Sequence, residues 1–233
     1  MKPKKYFYFN YKFLLNFLKD SQTFLYVICL IFLISIFLGS AFSTPEVFEK
    51  MILEFISELM ELTKNLSWVE MISFIFFNNL KSSFFGFVSG IGLGLVSLFS
   101  TFINGYLIGF VVKQSVLSSG VFVLWRLFPH GIFELPAVLI SFTLGLRISI
   151  EPIKLYFKKQ KVSDNLSLVY SFVLILILPL ISTLLFLILN LRDDKLSKKY
   201  LEILLDSFNI FIFLIIPLLF VAAIIEGSLI FLI

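Results

Sequence analysis

The run TFLYVICLIFLISIFLGSAF, Thr23 to Phe42, decides the fold. It carries no charged side chain, and about 20 apolar residues are what a helix needs to cross the hydrocarbon core. A segment in lipid must satisfy its own backbone hydrogen bonds, so a helix is the form such a run takes. Ser40-Ala41-Phe42-Ser43 has the small residues of a cleavage site, but the region before the run is too long and the run exceeds a secretory core. An uncleaved span is therefore the reading. The rest of the chain has the same character: 59% hydrophobic, 15% charged, mean hydropathy +1.03. That balance excludes a soluble globular domain and predicts an all-α polytopic membrane protein. The 31 phenylalanines suit a lipid-facing surface, although biased genomic composition gives the same excess.

Charge placement orders the chain. Lys2, Lys4, Lys5, Lys12 and Lys19 precede the first run, and Lys154, Lys158, Lys159 and Lys161 fill a second cluster. Such clusters mark cytoplasmic ends and anionic-lipid contacts in a cell-membrane protein, not nucleic-acid sites. Residues 1–22 read as a basic, aromatic interfacial lead-in and 23–42 as the first span. Residues 45–66 form an acidic amphipathic helix on the outer side, too polar to cross. Four further spans are expected at 71–100, 102–124, 129–150 and 166–191, with a basic cytoplasmic loop at 151–165. An outer loop at 192–207 and a sixth span at 208–233 complete the chain. Six crossings place both lysine clusters on one side, with four basic residues of 192–207 left on the other. The lone Cys29 sits mid-span and says nothing about redox compartment.

Polar groups inside this apolar sequence are the candidate site, because they are costly in lipid. Asn78, Asn79, Lys81, His130 and Glu134 fall towards the outer leaflet and Lys113 nearer the middle, and they are expected to share one pocket. His130 and Glu134 are four apart on one helix face. Such a pair serves as metal ligands, as a proton relay or as a hydrogen-bonded structural pair. Zinc wants three or four ligands and no second histidine exists, so no metal and no cofactor are expected. Pro129 opens a helix where its missing N–H costs nothing, and Pro136 falls inside it and frees the Ile132 carbonyl. Gly86, Gly90 and Gly94 recur at four-residue spacing with Ser82, and so do Gly105 and Gly109 with Ser97 and Thr101. A small-residue ridge lets another backbone approach, either within the chain or in a second copy. Arg147 and Glu226 are expected to pair near the inner interface.

The sequence PHGIFELPA (Pro129–Ala137) follows Asn78-Asn79 and the N-G-x-x-x-G of Asn104, Gly105 and Gly109, and it precedes Gly145. With these elements in order, the chain resembles the stage II sporulation protein M family of integral membrane proteins. The resemblance implies a non-enzymatic scaffold. In endospore-forming bacteria the family member anchors a complex of cell-wall hydrolases at the membrane during engulfment. Homologues are widespread in non-sporulating bacteria and in archaea that lack peptidoglycan. The expected partners are the lipid bilayer, membrane or envelope proteins, and a second copy of the chain. Six spans with an interfacial lead-in also resemble exporter subunits of the ABC-2 type, which makes a transporter subunit the alternative.

Overall fold

The computed structural model describes residues 11–90, 94–126, 128–177 and 194–232. Its helices are α1 (Tyr11–Ala41), α2 (Glu46–Thr63), α3 (Trp68–Ser89), α4 (Gly94–Ser119), α5 (Phe128–Lys159), α6 (Asp164–Ile177), α7 (Asp194–Ile210) and α8 (Ile216–Leu232). A 3-10 turn at Val121–Arg126 precedes α5, and a π-helical segment, Phe211–Ile215, joins α7 to α8 without a break. No strand occurs among the described residues, and five helices there are long and apolar enough to cross a membrane. The chain is an all-α polytopic membrane protein.

Local chemistry sets several boundaries. α2 follows Pro45 and begins with Glu46 and Glu49, negative charges that favour a helix start. α3 opens on a capping box, in which the Ser67 amide and hydroxyl donate to the Glu70 carboxylate at 2.8 and 2.6 Å. α5 is the hub. Residues 141–150 are buried on every side, so this decade reads as continuously apolar or small except for Arg147.

Contacts fix the directions. A side chain at Gly105 would meet the Phe32 carbonyl and one at Gly109 the Ile36 carbonyl, while Lys113 Nζ donates to the Phe42 carbonyl at 2.8 Å. The paired numbers rise together, so α1 and α4 are parallel. The same holds for α3 and α5, through Ser141 on the Ser83 carbonyl and Gly90 on Gly145. α8 opposes α3: Trp68 Nε1 donates to Ser228 Oγ at 3.4 Å, and Phe87 stacks on Phe211 at 5.0 Å between centroids.

The bundle therefore has a basic end, with the start of α1, the end of α5, α6 and α7, and an acidic end with α2 and the C-terminus of α8.

Four expectations are corrected. The lead-in and first span are one helix from Tyr11, because Phe17 and Phe24 bury along the same face as Ile28. The 71–124 region divides between the end of α3 at Ser89 and the start of α4 at Gly94, not near Ser100 to Asn104, since Asn104 Nδ2 bonds the Ser100 carbonyl at 2.8 Å within unbroken α4. The basic loop shrinks to residues 160–163. α5 continues through Pro152 to Lys159, with Ile153 and Leu155 buried and Lys154 paired to Glu151 at 3.1 Å.

The fourth concerns 192–207. From Asp194 it is helix, and Tyr200 donates to the Ile148 carbonyl at 3.0 Å, which places it at the basic end. Hence 208–232 runs from the basic to the acidic end, opposite to expectation. Residues 166–177 of the expected fifth span are helical, and 178–191 lie outside the described residues. Lys198 and Lys199, which the six-span count stranded, now join the other lysines, as charge bias requires.

This placement has a direct check. In a Cys29→Ala background, cysteines at positions 161 and 199 will react with an impermeant maleimide from one membrane face, and a cysteine at position 64 from the other. Labelling of positions 199 and 64 from a common face would contradict the arrangement.

Candidate membrane-embedded interaction site

Most motif residues are spent on bringing helices together. Gly105 and Gly109 carry α4 onto α1, and Gly39 of α1 returns the contact against Tyr106 and Phe110. Gly86 seats Phe142. Gly90 and Gly145 meet backbone to backbone, and Ser97 Oγ donates to the Gly86 carbonyl at 2.9 Å, locking α3, α4 and α5 at one point. Gly94 is buried at the start of α4. The ridge that the sequence left open between self-packing and a second copy is thus used within the chain.

Lys113 is likewise committed, because its ammonium caps the carbonyl of Phe42 just past the end of α1. Tyr106 fastens the same corner through Thr44 at 3.0 Å.

The segment at Pro129–Ala137 forms the first turns of α5. The side chains of Pro129 and His130 lie outside the described residues. Gly131 is not a close-contact position: among the described residues a methyl there would touch only Leu135, at 3.7 Å. Pro136 is exposed within the helix, and Glu134 is half-buried. Glu134 lies within electrostatic reach of Glu226 on α8. Sequence reasoning missed this approach, because nothing in the chain links two carboxylates 92 positions apart until α8 is known to run antiparallel to α3.

Arg147 consequently does not meet Glu226, which corrects the expected pair. The two sit at opposite ends of the bundle. Arg147 is 8% exposed, donates to Ser21 Oγ at 2.6 Å, and lies 4.5 Å over the Phe17 ring. Its charge is balanced by Glu151, Asp20 and Asp206. It joins α1, α5 and α7 at the basic end.

Beside it, Asp20, Glu151, Lys154, Lys158, Asp164 and Lys199 border a cavity of about 280 Å³. The Lys154–Glu151 and Lys158–Asp164 pairs in its wall reveal a mixed-charge lining rather than an anion site.

Asn78, Asn79 and Lys81 do not share a pocket with Lys113. Asn79 is half-buried, whereas Asn78 and Lys81 are exposed on the outer wall of α3. Lys81 lies thirteen residues past Trp68, about 20 Å along a helix about 33 Å long, hence near mid-membrane. A charge at that depth costs about 2.5–3.5 kcal/mol on insertion scales. It borders an open furrow of about 440 Å³ walled by Phe77 and Phe84 of α3 and by Phe208, Phe211 and Ile216.

A family model described as stage II sporulation protein M matches residues 28–229. No curated protein and no solved structure matches the chain.

Proposed function

Because the chain belongs to the stage II sporulation protein M family, we propose that it is a non-enzymatic membrane scaffold that anchors and organises partner proteins, with its basic end in the cytoplasm. The observation that supports this is the use of the motif. Glycines, Ser97 and Lys113 are occupied in holding helix backbones together, and two further mid-span polar groups, Asn78 and Lys81, face outward where a neighbour is reached. α2 adds a second outward surface. None of its eighteen residues is buried, and its acidic face stands clear of the bundle.

The transport alternative has less to rest on, because the Lys113 ammonium it would place along a path is held by the Phe42 carbonyl.

Affinity purification from native membranes in mild detergent tests the scaffold reading. The expected result is recovery of at least one other integral membrane or envelope protein. Recovery of the chain alone across gentle conditions would sink the reading. Flux in proteoliposomes that responds to substitutions at Glu134 and Lys113 would instead establish transport.

A further inference from the structure

We propose that the furrow between α3 and the π-helical segment receives a transmembrane helix of another membrane protein, one carrying an aspartate or glutamate near mid-span that pairs with Lys81. This names the partner class for the scaffold reading and rests on it.

Lys81 makes no hydrogen bond or ion pair among the described residues, although it lies near mid-membrane. A lysine at that depth is ordinarily paired or set in a water-filled cavity. The furrow walls are aromatic and aliphatic, so water is not its counterpart. Phospholipid phosphates are not either, because the nearer end of α3 is eight residues away, about 12 Å, roughly twice the reach of a lysine side chain. The anion must be carried into the hydrocarbon on a helix. From Phe77 to Phe84 the furrow extends two helical turns, about 10 Å, which matches one face of such a helix. Asn78 is exposed one turn above Lys81 and offers a second interhelical hydrogen bond. The opposite wall is the π-helical Phe211–Ile215, a backbone irregularity of the kind that concentrates at functional sites.

A second copy of the chain offers no carboxylate at the level of Lys81 among the described residues. Glu134 is seven residues before Ser141, which contacts Ser83, and Glu226 adjoins Gly227, which contacts Ile72. They therefore lie about 7 and 12 Å nearer the acidic end than Lys81, out of register with it for a copy standing alongside in the membrane.

The test is a photoreactive amino acid at position 84, with position 30 on the exposed side of α1 as control, irradiated in native membranes. The expected adduct at position 84 is a transmembrane peptide with an Asp or Glu near its middle. Lys81→Leu should lower its yield about tenfold, the weight of one interhelical polar contact, while Lys81→Arg preserves it. The partner's carboxylate-to-amide variant should reproduce the loss with this chain unaltered, so the test does not depend on the folding of Lys81→Leu. Adducts only with lipid, with a second copy or with residues 178–193 of the same chain would overturn the proposal, as would a yield indifferent to Lys81→Leu. Partners that co-purify but never cross-link at position 84 would overturn the furrow alone. The absence of any partner would overturn the scaffold reading with it.

Discussion

Gly90→Ala and Gly145→Ala are each expected to destabilise the bundle by about 2–3 kcal/mol, the upper range for overpacking, because the added methyl meets backbone and not a side chain that can turn away. At Gly90 the methyl would collide with the Gly145 carbonyl, and at Gly145 with the Gly86 carbonyl and Ser97 Oγ. Leucine at either position would separate α3 from α5 altogether. Gly131→Ala is the contrast. With Leu135 at an ordinary 3.7 Å, the substitution removes a flexible residue from a helix and should be neutral or stabilising by about 0.5–1 kcal/mol. Equilibrium unfolding in detergent measures all three. Equal losses at positions 90, 145 and 131 would show that the glycines act by something other than close approach.

Arg147→Met is the second large effect, an expected loss of about 3–5 kcal/mol. The guanidinium is buried, bonded to Ser21 and surrounded by Asp20, Glu151 and Asp206, so its removal leaves like charges facing one another. Asp20→Asn in the same chain should recover about 1 kcal/mol, since neighbouring charges do not act additively. A loss below about 0.5 kcal/mol, the size of an ordinary surface change, would mean that the cluster does not join α1, α5 and α7.

The uncharged run at Thr23–Phe42 made the membrane class legible, and the four-residue spacing of Gly86, Gly90, Gly105 and Gly109 made the close-packed faces legible. Periodicity reports which face is small or apolar without naming what packs on it. The glycine partners therefore had to come from the structure. Direction was the harder quantity. Apolar length at 166–191 reads as a crossing, and every later element inherits that parity, so Glu226 was assigned to the wrong end and to Arg147. The Tyr200–Ile148 and Trp68–Ser228 contacts, between residues 52 and 160 positions apart, carry the information that length does not. Lys81 was legible as an anomaly because a charge inside an apolar stretch is conspicuous. Its outward orientation was not, because a single residue has no period.

The mass of the intact assembly released from native membranes in mild detergent tests the central claim most directly. The scaffold account predicts a particle heavier than the 26.9 kDa chain, containing at least one other membrane or envelope protein in whole-number ratio. A particle of one chain and lipid alone, under every gentle condition tried, would contradict it.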